Sequence, residues 1–123
     1  MLQENLRGHL ELYLRELGPA CWLRGRGLAH RPYRIKRYAI GEGFDWHIDN
    51  GTRESATHVI ATQCYLNDVE RGGETEFQGS GRRIACVQGR LLFFPVQWTL
   101  VHRGRPPRSH LKYIATTFFE PRF

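Results

Sequence analysis

The sequence predicts a mainly β domain, an antiparallel sandwich or jelly roll entered through one amphipathic helix. Leucines recur at helical steps only near the start, short extended runs fill the chain from Tyr33 onward, and Gly or Pro breaks separate those runs. With 123 residues and 41% hydrophobic content, the chain has the size of one domain that buries roughly two-thirds of its unfolded surface. A single unit over residues 1–123 is therefore expected, with a helical lead-in at 1–18 and a β core at 33–119.

Leu2, Leu6, Leu10, Leu14 and Leu17, with Tyr13, are spaced three and four apart and form one apolar stripe. Gly18-Pro19 ends that helix. Gly8 inside it costs on the order of 1 kcal/mol relative to alanine, which burial of the stripe offsets. The Gly-, Arg- and Pro-rich stretch from Gly18 to Pro32 reads as a connecting loop. Tyr33–Ile40 then alternates, Gly41-Glu42-Gly43 turns the chain, and Phe44–Asp49 is a short strand closed by Asn50-Gly51. Further strands are expected at Thr57–Leu66, Thr75–Phe77, Arg83–Val87, Leu91–Phe94, Trp98–His102 and Leu111–Phe119, with Asn67–Gly73, Gly89, Pro95, Gly104 and Pro106-Pro107 as breaks. The alternation puts Val59, Ala61, Gln63 and Tyr65 on one face, and Lys112, Ile114, Thr116 and Phe118 on one face of the last strand.

Composition narrows the setting. No apolar run is long enough to span a bilayer and the N-terminus lacks the zones of a signal peptide, so a cytoplasmic protein without a membrane partner is expected. Cys21, Cys64 and Cys86 are odd in number and widely spaced, which argues against a disulfide framework or zinc knuckle and for buried thiols. The net charge of +6 admits an anionic partner, nucleic acid included; the plainer reading is a solvated basic surface. Trp22, Trp46 and Trp98 read as packing residues, and His9, His30, His58 and His110 as structural ones.

The chemistry sits in His47-Ile48-Asp49, His102 and Lys112. A strand places residues i and i+2 on one face, roughly 7 Å apart by the strand rise, so His47 and Asp49 can hold one metal ion together. His102 supplies a third ligand. Two imidazoles and a carboxylate on one face of an ion leave positions open, an arrangement that suits non-haem Fe(II). Lys112 adds a cation for an acidic co-substrate, and an anionic partner is expected for it because an unpaired buried ammonium is costly.

Arg37-Tyr38, Gly41-Glu42-Gly43, Trp46-His47-Ile48-Asp49, the run from Tyr65-Leu66-Asn67 to Gly72-Gly73-Glu74-Thr75-Glu76-Phe77, Gly89 to Pro95, His102-Arg103-Gly104 and Lys112 to Thr116 together resemble the prolyl 4-hydroxylase-type catalytic domain of the Fe(II)- and 2-oxoglutarate-dependent oxygenases. The resemblance covers about Tyr33 to Phe119. It implies a double-stranded β-helix and a dioxygenase that uses Fe(II), 2-oxoglutarate and O2 to hydroxylate an unactivated carbon, releasing succinate and CO2. Carried over by position, His47, Asp49 and His102 match the iron ligands and Lys112 the residue that pairs with the C5 carboxylate of 2-oxoglutarate. Tyr38, Tyr65, Thr116 and Thr75 match residues of the co-substrate pocket. Phe118 stands where many relatives have tryptophan, and the short Asp49–Thr57 linker departs from relatives with a long lid over peptides.

A carboxylate at Asp49 favours hydroxylation over halogenation by the same resemblance. The implied substrate is a peptidyl or free amino acid, proline by family frequency. An oxygenase acting on nucleic acid and a non-catalytic jelly-roll binding module are the competing readings, the latter disfavoured by the complete donor set. The compact chain leaves room for a partner subunit or a second copy to complete a substrate groove.

Overall fold

Leu6, Leu10 and Leu14 lie one above another on α1 (Leu2–Glu16) and are buried against Ile60 and Phe119. Burial of each such leucine contributes about 1.5–3 kcal/mol. The computed structural model describes residues 2–19 and 21–122. Met1 and the side chain of Leu2, expected in the lead-in and its stripe, lie outside the described residues. Leu17 falls beyond the helix and is 50% exposed, so the buried stripe ends at Leu14.

Nine strands follow among the described residues: β1 (Leu28–His30), β2 (Arg34–Tyr38), β3 (Phe44–His47), β4 (Ile60–Tyr65), β5 (Thr75–Phe77), β6 (Arg83–Ile84), β7 (Leu91–Pro95), β8 (His102–Gly104) and β9 (Lys112–Pro121). They form two antiparallel sheets. The larger runs β1-β9-β4-β7, with β2 also paired to β9, and the smaller runs β3-β8-β5-β6. This is the mainly β jelly-roll architecture with one N-terminal helix that the sequence predicts. Strand β9 organises it: its first half pairs with β2, its last residues with β1, and its other edge with β4.

Period-two alternation divides the larger sheet into two working faces. Ile60 and Phe119, with half-buried Leu91 and Phe93, pack beneath the helix. Ala61, Phe94 and Phe118, with Leu92, meet Phe77 of the smaller sheet. A third cluster of Tyr65, Val69, Cys86 and Ile114 closes one end of the interior.

Several boundaries differ from the sequence expectation, each for a physical reason. Within the expected loop from Gly18 to Pro32, Leu28–His30 pairs with the end of β9, because the last strand continues to Pro121 and offers a free edge. The expected strand at Trp98–His102 is a turn up to Val101, and His102 instead opens β8. Trp98 consequently does not pack: it is 77% exposed. Trp22 is also exposed and carries the Arg26 guanidinium 3.7 Å from its ring centroid. Of the expected Arg83–Val87 strand only Arg83 and Ile84 pair, and of the three thiols only Cys86 is fully buried.

Two features pin the loop between β8 and β9. Gly72 bridges to Pro107 with φ of 75°, and a side-chain Cβ there would lie 2.3 Å from the Pro106 carbonyl oxygen. Only glycine meets both demands. Part of the basic surface is internally neutralised, since Glu76 accepts hydrogen bonds from Arg103 and Arg105 and lies 3.5 Å from Arg83.

Candidate metal centre

His47 and His102 stand directly opposite one another across β3 and β8, and such cross-strand neighbours touch. Their ring centroids are 4.3 Å apart. A bulge in β3 makes this pairing. Phe44 faces Gly104 and His47 faces His102, so three steps on β3 span two on β8; without the extra residue Trp46 would face His102. Bulges commonly re-aim side chains beside active sites. Phe94 and Phe77 hold the other sides of the His102 ring, at centroid distances of 4.9 and 5.8 Å.

Asp49 does not continue the strand, which ends at His47. It lies in the turn that follows, and that turn carries its carboxylate back across both rings. Oδ1 is 3.2 Å from Nε2 of His47, and Oδ2 is 3.3 Å from Nε2 of His102. One donor atom from each of the three residues lies within 4.8 Å of the others.

The donor chemistry fits a cation. Nδ1 of His47 is 2.7 Å from the Asp45 carbonyl oxygen, and Nδ1 of His102 is 3.2 Å from that of Leu100. A carbonyl only accepts, so each Nδ1 donates to it and each Nε2 is turned toward the carboxylate. Such an arrangement of lone pairs and carboxylate oxygens is stable only around a proton or a metal ion. Burial opposes ionisation of Asp49, but hydrogen bonds and charge from His102 and His47 outweigh it and hold its carboxyl well below the usual carboxylate range. His47 shows the converse: burial lowers its affinity for a proton, while Asp49 and the Asp45 carbonyl raise it to a net upward shift. These backbone acceptors are the outer partners that fix metal-ligating imidazoles.

The cleft continues from the histidines to Lys112, which is 2% exposed. Its Nζ lies 5.4 Å from the Tyr38 ring centroid and 5.7 Å from that of Tyr65. Among the described residues Lys112 makes no ion pair, so the anionic partner expected for it is not a side chain of the described fold. Burial lowers its pKa below the ordinary lysine value, with Cys86 and Glu74 opposing; Glu74 is engaged by Arg105 at 3.4 Å. The buried cation thus faces a cavity that needs an anion.

Tyr38, Thr75 and Thr116 line this cleft with Lys112. Tyr65 does not line it; fully buried behind the wall, its hydroxyl is 2.6 Å from that of Thr75. Burial pushes its phenol up to about 12, so it remains a neutral hydrogen-bonding group. Gln63, on the face of β4 that alternation gives to Ala61, donates to Thr75 Oγ1 at 2.8 Å and lines the cleft, while Lys36, Phe94 and Arg103 line it without having been singled out in the sequence. Lys36 was legible: it shares a face of β2 with Tyr38 two residues on. His58, read as structural, stacks on Phe118 at 4.4 Å beside the site.

Residues 33–120 match the family described as the 2OG-Fe(II) oxygenase superfamily. The chain belongs to that superfamily. Among curated proteins it is 24% identical over 90 residues to a PKHD-type hydroxylase of Synechococcus sp. (strain CC9902), covering 70% of this chain and 40% of that protein. The chain therefore spans about two-fifths of the length of that superfamily relative. Of the solved structures, a viral collagen prolyl hydroxylase from Paramecium Bursaria Chlorella virus-1, in complex with 2OG, superposes with a TM-score of 0.72 at 20% identity, covering 93% of this chain and 72% of that one. A Pseudomonas putida prolyl-4-hydroxylase gives 0.70 at 19% identity, covering 94% and 63%. A Trichoplax adhaerens prolyl hydroxylase, in complex with a hypoxia inducible factor oxygen degradation domain peptide fragment, gives 0.72 at 17% identity, covering 95% and 55%. These similarities establish the superfamily fold for this chain.

Proposed function

We propose that the protein is an Fe(II)- and 2-oxoglutarate-dependent dioxygenase that hydroxylates an unactivated carbon of a peptidyl or amino-acid substrate in the manner of prolyl hydroxylases. One observation carries the proposal: three metal donors within 4.8 Å of one another share a cleft with a buried lysine that has no anion of its own among the described residues. Membership of the superfamily supports it, as do structural neighbours solved with 2OG and with a peptide.

His47, Asp49 and His102 would hold the ion through Nε2, a carboxylate oxygen and Nε2, with Asp45 and Leu100 carbonyls fixing the imidazole tautomers. Iron held there supplies activation of O2 coupled to oxidative decarboxylation of 2-oxoglutarate. Lys112 would neutralise the far carboxylate of the keto acid, while Thr75 and Thr116 offer hydroxyls and Tyr38 a ring wall. Tyr65 and Gln63 act at one remove by orienting the Thr75 hydroxyl. Phe94 and Phe77 exclude water from one side of His102.

Incubating the ferrous protein with 2-oxoglutarate and fractionated cell extract tests the proposal. Succinate should form only with iron and co-substrate present, and mass spectrometry should locate one added oxygen on the acceptor. Wild-type succinate yield that is indifferent to iron would refute it.

A further inference from the structure

Adjoining the metal centre is a second, larger cavity of about 530 Å³, and Lys36, Asp49, Thr116 and Phe118 line both. Its charged lining comprises Arg31, Arg34 and Lys36 against Asp49 and Glu54. Arg34 and Lys36 point from one face of β2; among the described residues Lys36 makes no ion pair, and its ammonium lies 5.6 Å from the Phe44 ring centroid. The carboxylates facing the cavity are Asp49, engaged by the two histidines, and Glu54, which is exposed. Arg31 is held by Glu120. The side chains of Tyr33 and His58 complete this lining. The far wall is the short segment after Asp49, tied by reciprocal Thr52 and Ser55 hydrogen bonds. The volume is in the range of pockets for small molecules.

We infer that Lys36, assisted by Arg34, is a specificity-determining residue that receives the free carboxylate of a small substrate, with the rest of the molecule held between Tyr33, His58 and the metal face. The inference rests on the oxygenase reading and narrows its substrate from peptidyl or amino acid to the free acid. Two lysines in one cleft then have separate duties: Lys112 anchors the keto acid, and Lys36 anchors the substrate.

The test uses anaerobic ferrous protein. Titration with 2-oxoglutarate, followed by the charge-transfer absorption of the chelate, reports the first duty. Addition of free L-amino acids, their carboxamides, amide-capped peptides or inorganic phosphate, followed by perturbation of that absorption, reports the second. Free acids should bind about tenfold or more tightly than their carboxamides, as a charge-assisted contact requires. Lys36→Met and Lys36→Gln should erase that preference in protein that still forms the 2-oxoglutarate chelate.

Equal binding of acids and carboxamides, a preference for capped peptides or phosphate, a preference that survives both variants, or no perturbation by any probe would each overturn the inference. Failure of wild-type protein to form the 2-oxoglutarate chelate would instead remove the cofactor reading, and this inference with it.

Discussion

Replacing Lys112 by methionine preserves length and apolar volume while deleting the charge. The side chain is 2% exposed, sits between the Tyr38 and Tyr65 rings, and has no anionic partner among the described residues. In the ligand-free protein, loss of an uncompensated buried ammonium removes a desolvation cost, so thermal stability should stay level or rise. Binding of 2-oxoglutarate should respond in the opposite direction. Truncating one member of a buried, hydrogen-bonded charge pair costs about 2–5 kcal/mol, which is about thirty- to several-thousandfold in affinity. Metal affinity should change little, because Lys112 contributes no donor to the His47, Asp49 and His102 set. Calorimetry with a redox-inert divalent ion, run with and without 2-oxoglutarate, separates these effects. An Lys112→Met protein that keeps 2-oxoglutarate affinity within threefold (about 0.7 kcal/mol) would refute the assigned role.

Other consequences can be checked alongside. Burial lowers the Lys112 pKa, and only the charged form attracts a carboxylate, so 2-oxoglutarate affinity should be flat at lower pH and fall as pH rises through that depressed value; the Kd–pH profile measures it. Tyr65→Phe removes the bond to Thr75 Oγ1, and should cost about 1 kcal/mol in a denaturant melt while raising the 2-oxoglutarate KM several-fold. Gly72→Ala forces a Cβ toward the Pro106 carbonyl at positive φ, and should destabilise by about 2 kcal/mol or more, seen as a lowered Tm.

That His47, Asp49, His102 and Lys112 belong together was legible in the sequence, and the device that joins them was not. Alternation in the last strand puts Lys112, Ile114, Thr116 and Phe118 on one face, and all four line the cleft. The leucine stripe likewise locates the helix and its buried side. By contrast, the β3 bulge that sets His47 opposite His102 depends on pairing between strands far apart in the chain, and no local pattern announces it. Asp49 reaches the histidines from a turn, although strand spacing was the reason for grouping it with His47. Trp98 to Val101 look like a strand by residue type, but the chain turns there and pairing begins at His102. Leu28–His30 pairs only because β9 runs on to Pro121, a tertiary cause that an Arg- and Gly-rich segment hides.

His47, Asp49 and His102 should together grip one ferrous ion and leave room for the keto acid beside it. Anaerobic titration of the metal-free protein with Fe(II) measures this directly when wild type is compared with Asp49→Ala and His102→Ala. Saturation at one ion per chain should occur in wild type, with an added charge-transfer absorption on 2-oxoglutarate addition, and both variants should lose ferrous affinity by at least about tenfold. Equal iron binding by all three proteins, or a wild-type ferrous complex unchanged by 2-oxoglutarate, would contradict the account.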